Sequence, residues 1–154
     1  DYYASRGLGD VYKRQVLNGV DIMPTVLSLM GLPIPNTVEG KDLKEVILNG
    51  NKEENYAIMS AYPGQVRAIK NFEEIGETNL DYGWRAIRDE KYTYVINRGY
   101  SPEHGVERFL YDNINDPYQQ NPIVIKNVED NKIALDFETK LKEWAKKYND
   151  GFKF

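Results

Sequence analysis

The middle of the chain holds the stretch that most limits what this sequence can fold into. Trp84–Arg88 and Tyr92–Asn97 are rich in β-branched and aromatic residues and alternate in part between apolar and polar. Residues 89–91 between them have the length of a hairpin loop. Residues 109–111 form a third short apolar run. Asp116-Pro117 closes that run as a turn, because proline fixes φ and aspartate bonds nearby backbone. The stretch predicts a small antiparallel sheet.

A long amphipathic helix is predicted over residues 128–148, after the sheet. Its apolar residues recur at spacings of three and four and form one stripe, namely Ala134, Phe137, Leu141, Trp144 and Tyr148. We expect Trp144 to lie in the core, and the lysines in the second half of the helix to suit its dipole. The predicted fold class is therefore α+β, a sheet of about four antiparallel strands packed against a long C-terminal helix.

The first clear element is a short helix that is apolar almost all round, within residues 16–32. Asp21 is a good N-cap, Pro24 falls in the first turn, and Gly31 suits the left-handed position after a helix end. Such a helix cannot be solvated on its own and needs a larger body to bury it.

The region between that helix and the hairpin is less regular. Residues 42–49 predict a short helix, and residues 56–62 predict a strand. Residues 63–81 contain a possible strand at 66–69, followed by a long acidic excursion. A loop of that length is usually functional or disordered.

The first fifteen residues do not resemble a folded segment. Residues 5–15, SRGLGDVYKRQ, can be back-translated into a continuous string that looks like a sequencing adapter read as coding DNA. A polar targeting arm is the other interpretation, but the segment has no apolar core of a signal peptide. We therefore expect residues 1–15 to be non-native and disordered, and the natural protein to begin upstream of Val16.

Composition excludes several classes of function. The net charge is −4, and no basic patch interleaved with aromatics is present, so nucleic acid is not an expected partner. No stretch approaches the length of an apolar membrane span. The chain has no cysteine, which rules out disulfides, thiolate metal sites and a cysteine nucleophile within it.

Three segments, read in order, resemble the C-terminal end of the sulfatase family. VDIMPTVLSLMGLPIPNTVEGKDL looks like the family's passage from Val-Asp through Pro-Thr to a final Gly-x-Ser/Asp-Leu. GWRAIRDEKYTYVIN is similar to its Arg-Ala hairpin. FLYDNINDPYQQNPI resembles its Leu-Tyr-Asp segment with a following Asp-Pro pair. Together they cover almost everything from Val16 onward.

The resemblance implies a division of the chain. Residues 16–50 would be the end of a large α/β domain of the alkaline-phosphatase type, and residues 51–154 a smaller C-terminal subdomain. The large domain, expected as an intramolecular partner, would carry a Cys/Ser-x-Pro-x-Arg motif whose first residue becomes formylglycine. It would also carry the Asp, Asn and His ligands of a calcium ion.

None of that catalytic equipment is in this sequence. No Cys/Ser-x-Pro-x-Arg occurs, since Ser101-Pro102 is followed by Glu-His. Asp112-Asn113 resembles a metal-binding pair only superficially, because two residues have little specificity and the resemblance makes them part of a strand end. We therefore expect no catalytic residue, no metal and no cofactor in this chain, and no activity from it alone.

The chain can still supply the rim of an active site. The candidate substrate-binding residues are Tyr82, Trp84, Arg85 and His104. An aromatic ring stacks on the apolar face of a sugar, and a guanidinium binds anionic oxygens in a fork. The alternative is that Trp84 is core, that Arg85 pairs with local carboxylates, and that His104 is a solvated loop residue.

The resemblance implies a sulfuric ester hydrolase acting on sulfate esters, with glycan sulfates favoured by the long variable loop. A phosphodiesterase or phosphonate hydrolase with a similar subdomain stays open. So does a non-catalytic α+β carbohydrate-binding or interaction module. Localisation is not set by these residues, and only the family suggests a periplasmic or secreted protein.

Overall fold

The computed structural model describes residues 16–50 and 56–154, and the chain divides into two compact units, Asp1–Ala57 and Ile58–Phe154. Each unit has its own packing and is considered by itself. The adapter-derived start predicted for residues 1–15 lies outside the described residues.

The first unit is built from two short helices. A 3₁₀ turn, Gly19–Asp21, leads directly into α1, Ile22–Leu29, and α2 follows at Lys44–Asn49. Both helices end at a glycine in the left-handed region, Gly31 with φ 71° and Gly50 with φ 66°, where a side chain would be strained. The predictions of both helices and of the stop at Gly31 are confirmed.

Apolar side chains remain exposed on nearly every turn of α1. Only Pro24 and Thr25 of this helix are buried within the unit. The exposed apolar residues of the segment are between 43% and 67% accessible, namely Val20, Ile22, Met23, Val26, Leu29, Met30 and Leu32. The unit therefore buries little of the apolar surface that its sequence carries.

The second unit contains a five-stranded sheet with strand order β1-β2-β3-β4-β5. The strands are β1 Ala57–Ala61, β2 Trp84–Arg88, β3 Tyr92–Asn97, β4 Glu107–Asp112 and β5 Ile123–Val124. The predicted hairpin is confirmed, because β2 and β3 pair antiparallel with Trp84 opposite Asn97 and Arg88 opposite Thr93. The β3–β4 and β4–β5 pairs are also antiparallel.

The long helix α4, Lys132–Tyr148, packs against β2 and β3. It begins after a 3₁₀ turn, Val128–Asp130, and the side chain of Asn131 caps it by accepting from the backbone of Ile133 and Ala134 at 3.1 Å. The core between helix and sheet is formed by fully or almost fully buried side chains, namely Ile87, Tyr94, Ile96, Leu110, Ala134, Phe137, Leu141 and Ala145.

A carboxylate is buried in this core. Glu138 is 2% exposed and accepts hydrogen bonds from the hydroxyl of Tyr94 at 2.6 Å and from Nε of Arg108 at 3.0 Å. Lys142 lies 2.8 Å from its other oxygen. A buried charge is tolerated because each of its oxygens has a charged or hydroxyl partner.

The predicted strand at residues 66–69 is wrong. The segment is helical, α3 spans Val66–Glu74, and a 3₁₀ turn, Asn79–Asp81, follows within the region expected to be irregular. Val66, Ile69 and Phe72 recur every third residue, which is a helical spacing, and a four-residue window is too short to reveal it.

Two further details differ from expectation. β5 was not predicted, because a strand of two residues shows no alternation. Trp144 is only half-buried, and its neighbour Ala145, 5% exposed, occupies the core position on α4. Within residues 16–50 and 56–154, no helix combines the length and apolarity needed to cross a membrane.

Candidate functional site

The residues predicted to form a substrate rim gather at one end of the sheet. Tyr82 precedes β2, Trp84 and Arg85 begin it, and His104 lies in the loop after β3. Gly83 joins the two strand ends, because its N–H donates to the carbonyl of Gly99 at 2.7 Å. A Cβ added at Gly99 would overlap the ring of His104, so that ring lies directly against this backbone.

Tyr82 is part of the packed base of this end. The residue is 2% exposed, and its ring stacks on Phe72 with 4.4 Å between centroids. Its hydroxyl donates to the carboxylate of Glu77. Burial, and then the neighbouring Glu77, raise the pKa of Tyr82 above its usual value, so the phenol stays protonated. The guanidinium of Arg98 lies 5.2 Å from the centre of the ring.

Arg85 is also buried, at 2% exposure. Its Nε and Nη2 donate to the two oxygens of Asp150, both at 2.8 Å, in the bidentate geometry that arginine and carboxylate favour. Its remaining donors reach backbone carbonyls, including that of Leu80 at 3.2 Å. Although burial alone would raise it, the pKa of Asp150 is lowered by the hydrogen bond and charge of Arg85.

The C-terminal segment after α4 covers this end of the sheet. Phe152 is 4% exposed, and the guanidinium of Arg85 lies 4.6 Å from the centre of its ring. Lys153 pairs with Asp81 at 2.6 Å, and Asp81 raises the pKa of that lysine. Arg98 donates to the carbonyl of Lys153 at 3.0 Å. The rim therefore rests on ion pairs between the strand ends and the tail.

Sequence reasoning missed these tail partners. Asp150 is 65 positions from Arg85, and Lys153 is ordinary in composition and context, so no local pattern marks either residue. A basic residue at the start of a buried strand was the only available signal, because such a charge requires a partner somewhere in the chain.

Trp84 and His104 are the predicted rim residues with accessible side chains. Trp84 is half-buried on the sheet face opposite the neighbouring Arg85. The His104 side chain is 38% exposed, with Nδ1 2.7 Å from the carbonyl of Gly105 and Nε2 3.6 Å from Glu107.

Several known proteins are similar to this chain. An ulvan-active sulfatase of Formosa agariphila is 34% identical over 137 residues, which are 89% of this chain and 24% of the relative. A solved structure assigned as a sulfatase from Bacteroides fragilis has 28% identity and a TM-score of 0.56. The match covers 84% of this chain and 25% of the Bacteroides fragilis chain. A structure from Bacteroides thetaiotaomicron has 26% identity and a TM-score of 0.51, and it is described with that organism's metabolism of multiple glycosaminoglycans. The match covers 75% of this chain and 23% of the Bacteroides thetaiotaomicron chain.

The chain spans about a quarter of the length of these relatives. The matched part is the C-terminal portion of sulfatases. The chain is similar to the C-terminal portion of sulfatases. No model of a known protein family matches it. The small sheet with its long helix is thus the fold of a sulfatase C-terminal domain, as the resemblance implied.

The first sulfatase-like segment forms a backbone clasp in the first unit. The carboxylate of Asp21 accepts from the backbone of Asn18 at 3.0 Å and of Lys41 at 2.9 Å. The hydroxyl of Thr25 accepts from the backbone of Leu43 at 3.0 Å and donates to the carbonyl of Asp21 at 2.6 Å. Asp21 therefore joins two chain segments rather than acting as a side-chain cap.

The third sulfatase-like segment forms a polar cluster beside the turn of the hairpin. Asn113 is 9% exposed, and its side-chain oxygen accepts from Thr93 and from Gln119, both at 2.9 Å. Gln119 has φ 55°, which positions its amide for these bonds. Asp112 accepts from the backbone of Asn115 at 2.9 Å, and this contact leads the causes that lower its pKa. The pair 112–113 therefore has a structural role in the turn.

The described residues do not fit the calcium site that the resemblance implies for sulfatases. No group of three or more His, Asp or Glu side chains within residues 16–50 and 56–154 is arranged to hold a metal ion. The carboxylates described above are paired with cations, backbone amides or, for Glu77, the hydroxyl of Tyr82. What the described residues show in the sulfatase-like segments is two structural clasps.

Proposed function

We propose that the chain is the C-terminal part of an enzyme that hydrolyses sulfate esters of glycans to an alcohol and inorganic sulfate. In this proposal the chain contributes substrate contacts at the rim of the active site and no catalytic group. The observation that carries it is the 34% identity to an ulvan-active sulfatase across 89% of the chain. The sequence itself has no formylglycine motif, and the proposal therefore assigns the reaction centre to a part of the protein outside these residues.

The proposed division of labour assigns the chemistry to a preceding large domain. That domain would contain residues 16–50 as its last part, and would carry formylglycine and calcium. The exposed apolar side chains of α1 support this assignment, because such a surface is normally covered in a soluble protein. The large domain would pack against α1 within the same polypeptide.

A sulfated glycan is the proposed substrate class. The relative of Formosa agariphila is named for activity on ulvan, and the Bacteroides thetaiotaomicron structure is described with glycosaminoglycan metabolism. Both names point to polymers of sugars rather than to small aryl sulfates. An exported enzyme, periplasmic or secreted, suits a polymeric substrate.

The rim residues divide into two kinds in this proposal. Trp84 and His104 have accessible side chains and would contact the substrate directly. Tyr82 and Arg85 are each 2% exposed, so a substrate would reach them only if their bonds to Glu77 and Asp150 opened. Their contact with substrate stays a prediction.

The experiment begins with the source DNA. We would read the open frame upstream of the codon for Val16 and search it for Cys/Ser-x-Pro-x-Arg. The complete protein would then be produced with a formylglycine-generating enzyme, and sulfate release would be measured on a panel of sulfated glycans. Replacement of the motif's first residue by alanine is the control, because it removes the nucleophile and leaves the fold.

The proposal is supported if the complete protein releases sulfate from a sulfated glycan and the alanine variant does not. Hydrolysis of phosphate diesters instead of sulfate esters would identify the related phosphodiesterase class. An upstream frame that lacks the motif, with a protein that binds glycans and releases nothing, would identify a non-catalytic module.

A further inference from the structure

Exposed aromatic rings border the end of the sheet that carries the rim. Tyr62 directly follows β1 and is 51% exposed, and Tyr100 follows β3 closely and is 60% exposed. Half-buried Trp84 begins β2, the strand between them. Three neighbouring strand ends therefore each bring an accessible ring to the same edge.

The backbone beneath these rings is tightly packed. A Cβ added at Gly83 would overlap the carbonyl group of Ala61 and approach the backbone of Tyr62. Gly83 also donates to Gly99, the residue before Tyr100. Neighbouring strands lie about 4.8 Å apart, so the ends of β1 and β3, on either side of β2, are separated by roughly 10 Å. Tyr62 directly follows this packed backbone, and Tyr100 lies in the loop that begins beside it.

Arg98 lies at the same edge, immediately before Gly99. Its Nη1 donates to the carbonyl of Lys153, while its Nε is buried and has no hydrogen-bond partner within the described part of the chain. A buried donor without a partner is unfavourable and calls for an explanation, and an acceptor supplied by a ligand is one such explanation. The side chain of Lys153, 55% exposed, lies near this edge with its charge paired to Asp81.

We infer that Tyr62, Tyr100 and Arg98 form a subsite for a sugar of the glycan next to the one that carries the scissile sulfate. The rings cover the apolar C–H face of a pyranose, and the guanidinium binds an anionic oxygen, from a sulfate or a carboxylate, on the same sugar. This inference rests on the proposed function and names the part of the substrate that these residues recognise.

The test uses the complete enzyme with two substrates, a sulfated ulvan oligosaccharide and a sulfated monosaccharide. Tyr62→Ala and Tyr100→Ala are each expected to raise KM for the oligosaccharide about two- to tenfold, with kcat and monosaccharide turnover unchanged. Arg98→Lys keeps a charge but loses the fork, and is expected to weaken oligosaccharide binding similarly. Oligosaccharide binding is also measured by calorimetry with the nucleophile-lacking enzyme.

Matched controls lie at the other end of the sheet. Tyr118→Ala removes a tyrosine that is 82% exposed beside the hairpin turn, and Arg88→Lys changes the arginine at the far end of β2. Both are expected to leave KM unchanged. Chemical reduction of the carboxylates of the oligosaccharide identifies the anion that Arg98 binds. If Arg98→Lys still weakens binding of the reduced oligosaccharide, the anion is a sulfate. If the variant no longer weakens binding, the anion is a carboxylate.

Equal losses on the two substrates, or no loss on the oligosaccharide, would overturn the inference while leaving the sulfatase proposal intact. A wild-type protein that binds the oligosaccharide through these residues but releases no sulfate would instead refute the proposed hydrolysis and support the subsite. A protein that neither binds nor hydrolyses any sulfated glycan refutes both.

Discussion

Two acid–lysine pairs on α4 have the same sequence spacing and the same oxygen–nitrogen distance but differ in solvent exposure. This difference predicts how much each pair contributes to the free energy of unfolding. Glu138 with Lys142, and Asp136 with Lys140, are both four residues apart with 2.8 Å between oxygen and nitrogen. The side chain of Glu138 is 3% exposed, whereas that of Asp136 is 56% exposed. An exposed pair of this kind contributes about 0.3–0.5 kcal/mol, and a buried carboxylate with several partners contributes far more.

The perturbation is Glu138→Ala. The hydroxyl of Tyr94, a fully buried residue, would lose its acceptor, and half-buried Arg108 would lose its counter-ion. Removing one member of such a buried group costs about 3–5 kcal/mol in free energy of unfolding. Lys142 adds little to that figure, because its side chain is 54% exposed and can be hydrated. Asp136→Ala, the matched control, should cost no more than about 0.5 kcal/mol.

Urea unfolding followed by tryptophan fluorescence measures these values. Both tryptophans, Trp84 and Trp144, lie in the unit Ile58–Phe154, so the signal reports on the unit that contains the helix. A double-mutant cycle with Tyr94→Phe should give a coupling of about 1–3 kcal/mol with Glu138→Ala. If Glu138→Ala costs no more than Asp136→Ala, the reasoning from burial is refuted.

The same pair of variants predicts a pH dependence. Burial opposes ionisation of Glu138, but the hydrogen bonds from Arg108 and Lys142 outweigh it and lower the pKa of Glu138. A carboxyl with a lowered folded-state pKa stabilises the fold above its unfolded pKa, about 4.3, and this contribution is lost as pH falls through the folded value. The difference in stability between wild type and Glu138→Ala should therefore shrink with acidification below about pH 4.

Two other perturbations test the rim and the first clasp. Asp150→Asn should cost the second unit about 3–5 kcal/mol, because it leaves the buried guanidinium of Arg85 without its counter-charge. Because the pKa of Asp150 is lowered in the folded state, the variant should also lose less stability than the wild type as pH falls below about 4, as measured by urea unfolding. Gly40→Ala should destabilise the protein by about 1–3 kcal/mol, because the new Cβ would overlap the carbonyl group of Val20. Gly19→Ala is the control and should be tolerated, because a Cβ there has open space. Melting temperatures of the complete protein measure both effects.

The hairpin and the last helix could be predicted because their signals are local. The residues of Tyr92–Asn97 have β-branched and aromatic side chains that suit a pleated surface, and the stripe on α4 repeats over four turns. The start of α3 gives an ambiguous signal, because over residues 66–69 the apolar side chains suit a strand as well as a helix. β5 has no local signal, since its pairing with Leu110 defines it.

The position of the candidate site residues could be predicted from the sequence, but their exposure to solvent could not. The sequence puts Tyr82 and Arg85 at the start of a strand, and the structure puts both at the expected edge. Their burial depends on Phe72 and on a tail that follows α4, and neither dependence leaves a mark near the residues themselves. Tyr62 and Tyr100 were not singled out for the opposite reason, because exposure, too, is decided by distant packing.

Two of the three segments that resemble sulfatases, the first and the third, hold the backbone of this chain in place. Asp21 and Thr25 hold two segments of the first unit together, and Asn113 and Gln119 hold the turn after β4 against Thr93. Each of these side chains is specified by the direction of its bonds, so an isosteric apolar residue cannot replace it. These side chains therefore account for part of the pattern that the chain shares with sulfatases, because that part of the pattern encodes how the chain turns.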